Sequence, residues 1–329
     1  MRTFSLSTTD LYSVNFLNIE KKSVLNGKTP IWKYWDEFVK HYRREGKSSV
    51  TILNVRDALR FAVIRLNIMT IEDCNTPNVL REALYSEREK RHWSPVTLNT
   101  YIKNLNTYFR WLEDMEYVQE NKIMKVRKCK EIMHEQLTLK EEQVDLIRIC
   151  ILKRRQTRLE RARNQFLFDV FLLTAARPCE LEQMQIRDIK KNKNGYEIVI
   201  QGRKQKGRAR FYRMPSSLRD MYDGYIRIRQ SLGREESCLF SSQSRRSGFR
   251  YKGINGLFKK LSKELGFRIT AYSIRRFVAT KLYTAGVPLK DIQQHLGHTR
   301  LTTTLRYIEH TCALTNRGTD EMAKLLGGK

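Results

Sequence analysis

Apolar residues recur at helical spacing through most of the chain, and a period of two appears in only one stretch. Trp32, Trp35, Phe38, Val39 and Tyr42 predict a helix over 30–46, with Gly46 as its stop. Residues 50–68 and 77–90 carry similar amphipathic patterns. Ser94-Pro95 then opens a fourth helix, whose stripe is Leu98, Tyr101, Ile102, Leu105, Tyr108, Phe109 and Leu112. A serine ahead of a proline in the first turn suits a helix start, because the side chain accepts a free N–H and the ring lacks one. The four patterns predict a small helical domain over 29–118, behind an irregular arm at 1–28.

Residues 119–136 (QENKIMKVRKCKEIMHEQ) are polar and basic with few apolar positions, as expected of a linker. Thr138 with Glu141 has the spacing of a capping box and predicts a new helix, so the boundary falls near residue 134. Helices are predicted at about 138–155 and 160–176. The period-two segment follows: YEIVIQG from Tyr196, the turn RKQKGR, and ARFYRMP. Its alternation and β-branched residues predict a hairpin. Helices return at about 215–231, 253–265, 272–285, 288–296 and 301–309. The fold class is therefore mostly α with a small antiparallel β-sheet, in two domains.

Charge narrows the function. The 329 residues hold 63 Lys+Arg against 35 Asp+Glu, a formal +28. Residues 1–135 carry a net +6 and residues 136–329 a net +22. Such an excess points to a polyanionic partner, above all nucleic acid, gripped mainly by the C-terminal part. The alternative is a solvated basic surface. Six scattered cysteines without C-x-x-C spacing indicate neither a zinc site nor a disulfide framework, and reduced thiols are expected. No apolar run approaches the length of a membrane span, and the N-terminus has no convincing signal peptide. A cytoplasmic protein without membrane contact is expected, nucleoid-associated in a bacterial host.

Three fragments carry candidate chemistry. LLTAARPCEL places Arg177 after an apolar helix. AYSIRRFVATKL holds Arg275. HLGHTRLTTTLRYIEH holds His298, 23 residues after Arg275, and Tyr307, nine residues later. A phosphodiester is anionic and gathers more charge on its non-bridging oxygens in the transition state, so preorganised cations lower the barrier. The planar fork of arginine grips two such oxygens. An imidazole can donate to phosphate or shuttle a proton. A phenol can attack phosphorus and store the bond as a phosphotyrosine. Each residue alone would be read as a surface, structural or packing group; the combination points to DNA cleavage.

This order and spacing resembles the tyrosine recombinase (phage integrase) family across residues 137–310. The helical domain with SPVTLNTYIKNLNTYFRWL is similar to that family's core-binding (SAM-like) domain. The resemblance implies a two-domain DNA clamp with a tyrosine recombinase-like catalytic domain at 137–310. It implies that Arg177 and Arg275 clamp the scissile phosphate, that His298 adds a contact, and that Tyr307 is the nucleophile. Glu180 falls where the family has an acidic supporting residue; it either orients Arg177 or is an exposed helix charge. The family's hairpin lysine, the general acid, corresponds to Lys204 or Lys206, which otherwise contact phosphates. Tyr272 stands where the family usually has histidine, and a phenol there supports phosphate rather than acting as a base. Arg203, Arg208, Arg276, Lys125, Arg127 and Lys128 are expected on the DNA backbone.

The resulting expectation is a site-specific DNA recombinase of integrase, transposase or resolvase type working through a covalent 3′-phosphotyrosine. No cofactor is required, neither metal nor nucleotide. Its partners are double-stranded DNA and itself, a dimer per site and a tetramer on DNA, with an accessory DNA-bending or directionality factor in prospect. The tail at 311–329, with MAKLL, is expected to dock on a neighbouring subunit. Two other readings stand beside this one: a catalytically inactive DNA-binding accessory factor, favoured only by Tyr272, and an enzyme like a type IB topoisomerase or telomere resolvase.

Overall fold

The computed structural model describes residues 28–130, 138–193, 195–202, 209–243 and 248–308. The expected N-terminal arm, the hairpin turn with Arg203, Lys204, Lys206 and Arg208, and the tail at 311–329 lie outside the described residues, apart from residue 28. The chain divides into two compact units, residues 1–134 and 135–329.

In the first unit, α1 (Trp35–Arg44), α2 (Ser49–Leu66), α4 (Pro77–Arg91) and α5 (Pro95–Asp114) surround a continuous apolar core; α3 (Ile71–Cys74) is a single turn. Ser48 and Ser94 cap α2 and α5, their hydroxyls accepting from Thr51 N at 3.2 Å and Thr97 N at 3.3 Å. Helix α1 starts five residues later than its apolar spacing suggests. Ile31 N instead donates to Met69 O at 2.9 Å, and Pro30 pairs with Thr70 as an isolated bridge, so this backbone is committed elsewhere. The core is strongly aromatic, with Phe38 packed edge-on to Tyr108 and Trp111.

The segment expected as a linker is partly built into this unit. Residues Lys122–Lys125 form a 3-10 turn, and Ile123 and Val126 are buried in the core. Cys129 N donates to Asn99 Oδ1 at 2.9 Å, and Asn99 Nδ2 returns a bond to Cys129 O at 2.9 Å. Two apolar anchors in an otherwise polar run suffice to seat it, a signal that average composition hides.

The second unit packs around α7 (Arg158–Thr174), whose Phe166, Leu167, Val170 and Phe171 are fully buried. At about 1.5–3 kcal/mol per large apolar side chain, this burial outweighs anything helix propensity supplies. Around it lie α6 (Glu141–Lys153), α9 (Ser216–Ser231), α10 (Tyr251–Leu265) and α11 (Ala271–Thr284). Helix α6 begins at Glu141, not at Thr138. Its start is held by Gln143 Oε1, which accepts from Lys140 N at 2.9 Å, and by Leu139 and Val144, a buried pair at the spacing of a hydrophobic staple.

The hairpin is one edge of a three-stranded antiparallel sheet in the order β1 (Ile189–Asn192), β2 (Gly195–Ile200), β3 (Arg210–Arg213). Ile198 pairs with Ile189 on one side and Tyr212 on the other. The last two helices, α12 (Leu289–Leu296) and α13 (Leu301–Ile308), close a smaller apolar cluster of Ala175, Val278, Ala279, Ile292, Leu296, Tyr307 and Ile308. The fold is mostly helical with this small sheet. Among the described residues, no helix is long and apolar enough to cross a membrane.

Candidate active site

Arg177 is not carried by the apolar helix before it. Helix α7 ends at Ala175, which takes a left-handed φ of 44°. Thr174 Oγ1 donates to Val170 O at 2.7 Å and accepts from Ala176 N at 3.2 Å, closing the end. Pro178 disfavours the α conformation for the residue before it, so Arg177 is extended and caps a short helix, α8 (Pro178–Gln183). Sequence periodicity passed over α8 because it has barely one and a half turns.

Glu180 is the third residue of α8 and is buried, not an exposed helix charge. Its Oε2 accepts from Arg177 N at 2.8 Å and its Oε1 from Arg177 Nη1 at 2.9 Å. Oε2 also accepts from Arg210 Nη2 at 2.6 Å. Burial alone would push this carboxyl up, but the two guanidiniums and the backbone N–H leave it below its usual value, hence ionised.

The end of α12 organises the rest. Gly297 is left-handed (φ 66°) and ends the helix, so the last carbonyls there lack helical partners. Those of residues 295, 296 and 297 each take a guanidinium. Arg210 Nη1 donates to His295 O at 3.1 Å, Arg275 Nη2 to Leu296 O at 3.0 Å, and Arg177 Nη2 to Gly297 O at 2.9 Å. Tyr212 Oη donates to His295 O as well, at 2.5 Å. A helix C-terminus carries partial negative charge, so three cations gather there at reduced electrostatic cost. A Cβ at Gly297 would stand 2.6 Å from Arg210 Nη1, so the left-handed conformation and the close approach both require glycine.

Arg275 is buried on α11. Its Nη1 donates to Ala175 O, and Nη2 donates to His298 Nε2 at 3.1 Å. Its side chain also hydrogen-bonds the Tyr307 hydroxyl. None of these partners is a carboxylate, so among the described residues no ion pair neutralises its positive charge. A guanidinium can only donate; Nε2 of His298 is therefore the acceptor, and Nδ1 carries the proton toward Thr304 Oγ1, 2.9 Å away. Burial, then the charges of Arg275, Arg177 and Arg210, push the imidazole pKa down to about 3, and the ring is neutral.

Tyr307 lies three residues after Thr304 on α13 and is buried, its ring 5.0 Å from His298 and 4.8 Å from Tyr272. Burial raises its pKa, with the Arg275 charge opposing. Tyr272 itself is exposed, and Arg276 Nη2 donates to its hydroxyl at 3.3 Å. Arg276, expected on the DNA backbone, is only 3% exposed, because the i,i+4 spacing on α11 turns it toward Tyr272 instead. Arg127 and Lys128 are exposed; Lys125 is exposed and paired with Glu120 at 2.6 Å.

The structure thus brings Arg177, Arg275, His298, Tyr307 and Glu180 together, with Tyr272 at the rim. Sequence reasoning missed Arg210, Thr304 and the Ala175 carbonyl. Thr304 had no distinguishing signal within TTTLRY. Arg210 was hidden because nothing local marks a charged residue on a short strand as buried, yet Phe211 is 58% exposed and Arg210 faces in. Among the described residues, no group of three or more His, Cys, Asp or Glu is placed to hold a metal.

Known proteins share this arrangement's framework. The family model described as the phage integrase family matches residues 137–313. The tyrosine recombinase XerA of Thermococcus kodakarensis is 27% identical over 296 residues, covering 88% of this chain and 95% of that protein. Among solved structures, the Tn1549 transposon integrase in complex with a circular intermediate DNA superposes with a TM-score of 0.70 at 18% identity, covering 90% of this chain and 99% of that one. The XerH site-specific recombinase bound to a palindromic difH substrate, a post-cleavage complex, gives 0.66 at 19% identity, covering 86% and 82%. A family match spanning more than half of the chain, on a fold shared with DNA-bound recombinases, shows that this chain belongs to the phage integrase family, the tyrosine recombinases.

Proposed function

We propose that the chain is a site-specific DNA recombinase whose nucleophile is Tyr307. The observation that carries this reading is the convergence of a buried phenol on a guanidinium that has no carboxylate partner among the described residues, beside a second guanidinium open to solvent. Arg177 keeps 26% of its side chain exposed, and Arg275 lies beneath, bonded to Tyr307. A scissile phosphate entering between them takes N–H groups of both guanidiniums, including the Arg275 N–H that His298 Nε2 now accepts.

The Tyr307 oxygen then forms a bond to phosphorus, and the phosphorus–5′ oxygen bond breaks. The products are a 3′-phosphotyrosine and a 5′ hydroxyl; reversal by another 5′ hydroxyl rejoins the strand. With its pKa raised, the phenol holds its proton until attack and needs an acceptor. His298 Nε2 has the free lone pair once Arg275 turns to the phosphate. Burial and three arginines hold the imidazole pKa near 3; the phosphate charge counters the arginines, so the ring can take the phenol proton and donate it to a phosphate oxygen. The leaving 5′ oxygen takes its proton from the hairpin, from Lys204 or Lys206. Tyr272, exposed at the rim against the Tyr307 ring, accepts from Arg276 and keeps its own O–H to donate to a phosphate oxygen.

Duplex DNA is the partner, bound mainly through its phosphates and therefore with steep salt dependence. On DNA the protein acts as a dimer per site and a tetramer per exchange. The test is a suicide substrate nicked beside the cleavage point. Wild-type protein is expected to be trapped covalently, and Tyr307→Phe to bind the same DNA without an adduct. An adduct in Tyr307→Phe would remove this residue as nucleophile; its absence in wild type would support the accessory-factor reading.

A further inference from the structure

Arg210 belongs to none of the roles assigned so far, yet its guanidinium is the hub of the site. It comes from β3, immediately after the hairpin turn, and its side chain is 9% exposed. It touches two elements at once: Glu180 of α8 and the carbonyl of His295 at the end of α12. Gly297 leaves room for it, and Tyr212, the next inward residue of β3, bonds the same His295 carbonyl. A cation placed this way cannot reach DNA phosphate without abandoning its bonds. Its action must pass through the groups it holds.

We propose that Arg210 is a positioning residue for strand cleavage: it fixes Glu180, and through Glu180 it aims Arg177, while tying the strand that leaves the lysine hairpin to the turn that carries His298. The proposal rests on the cleavage reading above. Glu180 Oε2 is shared between Arg210 and the backbone N–H of Arg177. Without Arg210, a buried carboxylate faces Arg177 alone and draws its guanidinium into a closer ion pair. Arg177 then leaves Gly297 O and presents less charge to the phosphate. Lysine at 210 can reach Glu180 or His295 O but not both, because an ammonium is a point donor where the guanidinium is a fork.

The test uses the full chain with single-turnover cleavage of the nicked suicide substrate. Arg210→Met is expected to cleave about 10²-fold more slowly, the scale on which an ångström of misplacement acts. Arg210→Lys is expected to recover part of that rate, with DNA affinity unchanged in both because the residue is buried. In an Arg177→Lys background, Arg210→Met should cost less than about threefold more, since residues acting through one another are non-additive. An equal loss in both backgrounds would mean that Arg210 serves stability alone and would overturn the proposal. If Arg210→Met does not fold, the cycle is run with Arg210→Lys. A crystal structure of the variant gives a readout independent of activity: the Arg177–Gly297 O bond should be lost, and its retention would also overturn the proposal. Failure of the wild-type chain to form an adduct would defeat the cleavage reading and leave this structural readout standing.

Discussion

Thr304→Val replaces one hydroxyl by a methyl group and keeps the shape and β-branching of the side chain. Thr304 is fully buried, and its Oγ1 is the acceptor for His298 Nδ1–H at 2.9 Å. With valine, Nδ1–H points into an apolar wall. Leaving a buried donor unpaired costs about 1–3 kcal/mol. In a unit of this size each kcal/mol lowers Tm by about 2–4 °C, so a fall of roughly 2–12 °C is expected. The imidazole can avoid the penalty by moving its proton to Nε2, but that nitrogen then faces the Arg275 guanidinium as a second donor. The tautomer shift withdraws the lone pair from the position where the Tyr307 proton must go, and the unpaired Nδ1–H leaves the ring without the bond that aims it. At tenfold per 1.4 kcal/mol, cleavage should fall by about 10-fold to 10²-fold. Thr304→Ser keeps the acceptor and should cleave within about threefold of wild type while losing about 1 kcal/mol for the missing methyl. The assays are single-turnover adduct formation at saturating DNA and thermal melting, supported by ¹⁵N NMR of the imidazole tautomer. A Thr304→Val protein that melts, titrates and cleaves like wild type would refute the tautomer argument.

Other perturbations test neighbouring steps. Arg177→Ala or Arg275→Ala should each slow cleavage by about 10²-fold or more, as removal of a preorganised charge contact does; a loss under threefold would take that residue out of the phosphate clamp. Ala175→Val puts a β-branched side chain at a buried left-handed position (φ 44°) and should cost about 2–4 kcal/mol from backbone strain and overpacking, read as a drop in the urea midpoint. Cleavage should fall with it, because the Ala175 carbonyl holds Arg275. His298 and His295 both have depressed folded-state pKa values, His298 near 3. The unfolded chain binds protons at these groups from about pH 6.5 downward while the native chain does not, so stability is full above that pH and declines as pH falls toward 3. His298→Gln should flatten this decline by up to one proton between pH 6.5 and 4 in urea titrations; an unchanged slope would show that His298 is not held neutral.

Helix periodicity, caps and turn residues are local, and the sequence alone is enough to read them. Ser94-Pro95 begins α5 where its chemistry demands, and Gly297 ends α12 for the same reason. The alternation of YEIVIQG sufficed for a hairpin, and the spacing from Arg275 through His298 to Tyr307 sufficed for the family. What depended on distant partners stayed hidden. Strand β1 is too short and polar to show a period; it exists because Ile198 offers a backbone ladder on both sides. Residues 30–34 carry helical spacing, yet Ile31 N donates to Met69 O and Pro30 bridges Thr70, so the helix starts only at Trp35. The inward turn of Arg210 contradicts local hydrophobicity, and only a carboxylate and an open helix end contributed by two other elements make burial of that charge favourable. Sequence by itself determined which groups are available and roughly where each helix starts and stops, because those preferences act over a few residues. Tertiary structure alone decided which carbonyl each guanidinium takes, which nitrogen of His298 holds the proton and which face of β3 lies inward, because those choices are set by desolvation and charge pairing between segments a hundred residues apart.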